Sequence, residues 1–252
     1  MIAKSLEGFF FFGTAVRYLQ DATVGTRIHD SAGKMFILSN LRRFFRFIDD
    51  IGLQVTSRAA SDLRRLMQEL EGAAKDAILT TEQAKRLSPG MTDLRKTLVA
   101  EIEGFEAYLV TPKRLDVNRL LKHPEQLLAP QAFGSFPALA RFDIAEAGKC
   151  IAFERPTAAA FHLLRATECA IRALCQKYVK RNRPQLMWGP MVARLRAVRP
   201  LRGEESFLNN LDDIRLAFRN PTQHPDKVYD IEEVQDLWGR CIDVLNRIAK
   251  HL

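Results

Sequence analysis

Apolar residues recur every three or four positions along most of this chain, and that period is what most restricts its fold. Between Ile37 and Leu53 the apolar positions are Ile37, Leu41, Phe44, Phe45, Ile48 and Leu53. From Ala59 to Leu79 they are Leu63, Leu66, Met67, Leu70, Ala74 and Ile78, and near the C-terminus Ile231, Val234, Leu237, Trp238, Cys241, Leu245 and Ile248. Such spacing lines one face of an α-helix, whereas a half-buried strand alternates. With only 13 Gly and 11 Pro in 252 residues, a sandwich or barrel with a turn every ten residues is excluded. The expected class is all-α, with no strand after residue 138. The length suits one large domain or two small ones, with enough chain to bury a core without staples.

The breakers set the expected organisation. Ser88-Pro89-Gly90 should stop one helical region, and Thr92 and Asp93 should open a helix reaching about Tyr108. Pro112, Pro124, Pro130 and Pro137 make residues 111–138 linker-like, with one helical piece at Val117–Leu121. The boundary is therefore expected near residue 138, separating a helical N-terminal region, 1–138, from a C-terminal domain, 139–252. In the second half, helices are expected over about Phe142–Glu154, Ala158–Val179, Met191–Val198 and Glu204–Phe218. Arg155-Pro156 breaks the first from the second, because a proline disfavours helix at the residue before it. Thr157 is then the expected cap, and Arg181-Asn182-Arg183-Pro184 the expected end. Asp230 followed by Glu233 is a capping box for the last helix.

The four-residue run Phe9–Phe12 is far short of the ~20 apolar residues of a membrane span. Glu7 interrupts any leader-like stretch. The run reads as core, either a short strand or the start of a helix, and the expected setting is cytoplasmic with no membrane. Phe44, Phe45 and Phe47 are likewise expected to pack in a core, an interface being the alternative for both groups. Cys150, Cys169, Cys175 and Cys241 lie in apolar runs with no C-x-x-C and no His at ligand spacing. Buried free thiols are expected, with no metal site and no cofactor. H-E-x-x-H and G-x-S-x-G are both absent, which counts against metal hydrolysis and Ser/His/Asp chemistry.

Lys and Arg total 38 against 30 Asp and Glu, a formal +8. No acid occurs between Cys169 and Gly203, where Arg172, Lys177, Lys180, Arg181, Arg183, Arg194, Arg196, Arg199 and Arg202 accompany Tyr178 and Trp188. Cations interleaved with stackable rings suit single-stranded nucleic acid. A solvated basic surface whose rings are core is the alternative.

One segment carries more specific chemistry: Arg219-Asn220-Pro221-Thr222-Gln223-His224. Pro221 should end the preceding helix at about Arg219, placing a guanidinium at a helix C-terminus, where a cation is favoured. Pro221 and Pro225 stiffen the connection that holds His224. Arg grips phosphate through paired bonds, and an imidazole gives or takes a proton near neutrality. RNA supplies its own nucleophile, the 2′-hydroxyl, so cleavage needs only a base, an acid and a cation for the developing charge. The spacing alone is not specific, since Arg155 and His162 match it too; a helix start separates those two, and His162 is expected to be a helix-packing residue.

The wider context is more specific. The run from Cys150 through Glu168, then Trp188-Gly189, then Arg219–Pro225 and Tyr229 resembles bacterial proteins of the HEPN superfamily over about residues 139–252. That resemblance implies a helical bundle acting as a metal-independent endoribonuclease on single-stranded RNA, of toxin–antitoxin or phage-defence type. It implies a homodimer in which two Arg/His motifs face one cleft, and an antitoxin or regulatory protein as a further partner. Carried over, Arg219 would stabilise the scissile phosphate, His224 would be the general acid/base, and Asn220 would position the arginine or the RNA. Glu168 would be the acidic residue that orients the motif. Phe161, Arg165, Glu168 and Arg172 share one helical stripe; Arg165 and Arg172, with Lys177, Lys180, Arg181, Arg183 and Trp188, form the expected RNA-binding set. Pro225-Asp226 stands where some members have x-Tyr. The competing expectation is a non-catalytic HEPN module that binds RNA, nucleotide or a protein partner.

Overall fold

The computed structural model describes residues 5–179, 186–224 and 227–252. The fold is all-α: among the described residues there is no strand, only isolated bridges pairing Arg27 with Ile78 and Ser31 with Lys34. No helix among them is long and apolar enough to cross a membrane. Two compact units are present, residues 1–107 and 108–252, and each has its own apolar core.

The first unit holds α1 (Leu6–Gln20), α2 (Ile37–Ile51), α3 (Gln54–Ala59), α4 (Ser61–Glu71) and α5 (Thr81–Ile102). Ser5 caps α1 by accepting from the Gly8 amide at 3.1 Å. The Phe9–Phe12 run lies inside this helix, so four successive side chains point around its circumference. Only Phe12 is buried, stacked on Phe47 at 4.1 Å, while Phe9, Phe10 and Phe11 are exposed. The expectation that the whole run is core is corrected accordingly. Gly52, at φ 80°, ends α2 in the left-handed conformation that favours glycine.

Two further expectations here give way to tertiary packing. The stretch 59–79 is not one helix. It breaks at Ala60 and again at Gly72, and residues 77–79 bond to the 25–28 loop through Ile28 N to Ala77 O and Leu79 N to Thr26 O. Conversely, Ser88-Pro89-Gly90 does not stop α5. The helix starts earlier, at a Thr80/Gln83 capping box, and runs through Pro89. A proline costs the hydrogen bond to residue i−4, but Leu87, Met91, Leu94 and Leu98 bury one continuous face across it.

The second unit begins thirty residues before the expected boundary. Residues 108–138 are not a linker, because their few apolar and polar anchors are used on the C-terminal helices. In this stretch are α6 (Val117–Lys122), a 3-10 turn at Pro124–Leu127 and α7 (Ala132–Ser135). Leu120, Leu128, Ala132 and Phe136 are buried in the second core. The Arg114 amide donates to Gln235 Oε1 at 2.9 Å, and its guanidinium pairs with Asp236. The Ala129 amide donates to Asn246 Oδ1 at 2.8 Å. The remaining helices are α8 (Ala138–Ala152), α9 (Pro156–Tyr178), α10 (Trp188–Leu195), α11 (Glu205–Ile214), α12 (Asn220–Thr222) and α13 (Ile231–Ala249). A π turn, Arg215–Arg219, joins α11 to α12. Pro156 occupies the first turn of α9, where its missing amide hydrogen costs nothing. Thr157 is therefore inside the helix, not its cap, and its hydroxyl accepts from the Tyr229 amide at 3.1 Å. The expected end of α9 at residues 181–184 lies outside the described residues. The capping box of α13 forms as the sequence indicates, Glu233 N to Asp230 Oδ1 at 2.7 Å and Asp230 N to Glu233 Oε2 at 3.2 Å.

α8 and α9 pack as an antiparallel pair, with α6 across α8 and α13 across α9. Gly148 sits where α6 approaches α8; a Cβ there would lie 2.7 Å from the Leu120 carbonyl oxygen. Gly148→Ala is expected to force the helices apart, at a cost of about 1–3 kcal/mol, read as a lower Tm by calorimetry. The four cysteines are free; Cys175 and Cys241 are buried and Cys150 and Cys169 half-buried. Burial pushes the Cys175 thiol up to about 11 and the Cys241 thiol up to about 12. Both are expected to resist iodoacetamide at pH 8 in the native protein and to label once it is denatured. Because their folded values exceed the ~8.5 of an unfolded thiol, the stability they confer is complete below that pH. It declines as pH rises from there toward 11 and 12, which urea titrations across that range would show.

Candidate functional site

The Arg219 segment is positioned by a departure from regular α-helix. In an α-helix the Pro221 ring would clash with the carbonyl of residue 217, and no amide hydrogen would reach it. The chain widens instead: the Asn220 amide donates to Arg215 O, five residues back, and the helical course continues through Thr222. The expectation that Pro221 ends the helix at Arg219 is thus corrected. π turns of this kind are frequent at functional positions.

Two hydroxyls secure the turn. Thr222 Oγ1 donates to Phe218 O at 2.6 Å, and the buried Tyr229 hydroxyl meets Thr222 Oγ1 at 2.7 Å. Burial raises the Tyr229 phenol above its ordinary range. With the Tyr229 amide bonded to Thr157, and Arg219 reaching Glu168, the stretch 219–229 is tied to α9 at two points eleven residues apart. That is about 16 Å along the helix. Thr157, Phe161, Arg165, Glu168 and Arg172 are spaced at three and four, so the stretch is anchored at both ends of a single stripe of α9.

At one end of this stripe Glu168 stands between two guanidiniums: Arg219 Nη2 is 3.5 Å from Glu168 Oε2, and Arg172 Nη2 is 3.4 Å from Oε1. All three side chains are less than a third exposed. These contacts are longer than the 2.7–2.9 Å of a tight charge-assisted bond, so Glu168 orients Arg219 without saturating it. His224 follows α12; its amide donates to Pro221 O at 3.0 Å and its side chain is exposed. Asn220 is half-buried, and its carbonyl accepts from the Gln223 amide. Arg219, Asn220 and His224 thus flank one short turn, with Glu168 beneath the arginine.

The expected RNA-binding set divides. Arg165 and Arg172 lie on the stripe. Lys177 is half a helical circumference away from Glu168, and its Nζ donates to Leu252 O at 2.7 Å. Tyr178 is half-buried and donates to His251 O at 3.2 Å. Trp188 is 1% exposed, packed in the core of the unit; it faces inward from the first turn of α10 and offers no ring to a base. Lys180, Arg181 and Arg183 lie outside the described residues.

A second cluster, which spacing did not reveal, adjoins the stripe. Asp143 of α8 has no solvent exposure. Its Oδ2 accepts from Arg165 Nε at 2.7 Å, and its Oδ1 accepts from both Arg165 Nη2 and His162 Nδ1, the latter at 2.8 Å. The ring of His162 meets Phe142 edge-on, with centroids 6.4 Å apart. Phe142 and Phe161 are about half exposed. The available signal was an aspartate in an apolar helix facing a His-x-x-Arg one helix later. His162 does pack between helices, as expected, but against a buried carboxylate. Among the described residues no group of three or more His, Cys, Asp or Glu is placed to hold a metal ion.

Tyr229→Phe is expected to cost about 1 kcal/mol, the net worth of one buried hydrogen bond, seen as a lower urea midpoint with an unchanged slope. No family model, no curated protein and no solved structure matches this chain.

Proposed function

We propose that residues 108–252 act as a metal-independent endoribonuclease on single-stranded RNA, in the manner that the resemblance to HEPN domains implies. The observation that supports this best is the pairing of Arg219 with Glu168 on a π turn, five residues before an exposed histidine. Arg219 is held loosely enough to exchange Glu168 for a phosphate. Its planar fork then grips two oxygens of the scissile group and stabilises charge developing there. His224 exchanges a proton with the reacting oxygens, and Asn220 positions the arginine or the strand. The 2′-hydroxyl attacks phosphorus, the P–O5′ bond breaks, and the products are a 2′,3′-cyclic phosphate and a 5′-hydroxyl. Arg165 and Arg172 on the same stripe extend the positive surface along the strand. On the same resemblance the protein is a toxin or phage-defence effector that works as a homodimer under control of a second protein.

End-labelled single-stranded RNA, incubated with the full chain in EDTA, tests this. The expected result is cleavage that leaves cyclic-phosphate ends and spares a 2′-deoxy strand. His224→Ala and Arg219→Ala should each lower the rate by about 10²-fold or more. Retained, salt-sensitive RNA binding without cleavage by any form would instead establish a binding module.

A further inference from the structure

The Asp143–His162–Arg165 cluster has the chemistry of a proton-transfer centre, not only of a helix clamp. Asp143 is fully buried, and both its oxygens are engaged by α9. It therefore does not contact a ligand directly. Flanked by a guanidinium, it accepts only, so His162 donates through Nδ1–H and its Nε2 is left as the basic nitrogen. The His162 side chain is 26% exposed and that of Arg165 55%. Both groups are thus fixed at the surface by a partner that solvent cannot reach.

Position connects this cluster to the Arg219 site. His162, Arg165 and Glu168 follow one another at intervals of three along α9. At 100° per residue Arg165 lies 60° from each neighbour, with His162 on the α8 side and Glu168 on the Arg219 side. His162 and Glu168 are about 9 Å apart along the axis. A phosphate over Arg165 thus has Arg219 on one flank and His162 on the other. Phe142, against His162, and Phe161, one turn before Arg165, present half-exposed rings on which bases stack.

We propose that His162 is a second proton carrier of the same site and that Asp143 is its positioning residue. This rests on the ribonuclease function proposed above. In-line displacement places the entering 2′-oxygen and the departing 5′-oxygen on opposite sides of phosphorus, so two carriers serve the step better than one. One imidazole takes the 2′-hydroxyl proton as the O2′–P bond forms. The other, entering protonated, delivers its proton to O5′ as the P–O5′ bond breaks. Protons and charge balance within the step, and the two imidazoles exchange protonation states.

The test compares the full-length protein with His162→Ala, Asp143→Asn and His224→Ala on single-stranded RNA, with and without added imidazole. The expected result for His162→Ala is a kcat lower by about 10²-fold or more, a KM within threefold of the parent, and recovery of rate as imidazole is added. Fold loss does not respond to imidazole, and a melting curve monitors it. For Asp143→Asn, ¹⁵N–¹H spectra of the His162 ring should show loss of the single Nδ1–H tautomer. A 2′-deoxy strand, which binds but is not cleaved, should shift the His162 ring resonances in the parent, a readout independent of any variant. Cleavage by His162→Ala at the parent rate would overturn the proposal and leave the ribonuclease function standing. No cleavage by the parent would overturn both.

Discussion

Asp143 carries a charge where no water reaches it, and the arrangement of the second unit around α9 follows from how that charge is met. Removing a carboxylate from water costs several kcal/mol, and the cost is recovered only if both oxygens find good donors. Those donors, His162 and Arg165, are one turn apart on α9, which fixes the rotation of α9 against α8. Once that rotation is set, Glu168 and Arg172 are carried to the side where the 215–229 stretch passes. Arg219 and Tyr229 then have fixed partners. Rolling α9 would therefore break these bonds as well as its apolar packing, and removing a partner from a buried charge costs about 3–5 kcal/mol.

The second unit thus joins two kinds of constraint along one helix. Apart from the Asp143 cluster that faces α8, the buried side of α9 is apolar, with residues such as Leu163, Leu164, Ala170 and Leu174 in the core. On the outer stripe the contacts are polar and sparse. The candidate chemistry sits on the polar side, and its side chains are oriented by groups themselves held rigidly, as a site on helices requires. Thr222 and Tyr229 do for the Arg219 turn what Asp143 does for His162: each holds part of the candidate site in place.

Much of this was legible in residue order. The three-and-four spacing of Leu63, Leu66 and Leu70, or of Val234, Leu237, Trp238 and Cys241, marks helices because local geometry alone makes such a face. The Asp230–Glu233 box marks a helix start for the same reason. Prolines misled where tertiary packing outweighed their local cost: Pro89 lies within a helix whose buried face runs past it, and Pro221 is accommodated by a widened turn. The stretch 108–138 looked like a linker because its anchors, Arg114, Leu120 and Phe136, are few and act at long range. Trp188 looked available to bases because composition does not say which way an indole points. Residue order puts Glu168 on one stripe with Arg165 and Arg172, but neither its approach to Arg219 nor the role of Asp143 is written there, since both exist only once the helices are packed.

The π turn amounts to one additional residue inserted into the helix that α11 begins. An α-helix advances 100° per residue, so everything beyond the turn is phased one residue later than an unbroken helix would place it. In that unbroken helix, Phe218 would occupy the azimuth that Arg219 holds, and the guanidinium would swing away from Glu168. The alignment of the motif is therefore a matter of counting, and it depends on the length of this segment as much as on its residues. A chain that lost a single residue between Arg215 and Phe218 could keep every side chain of the motif and still lose their register with α9.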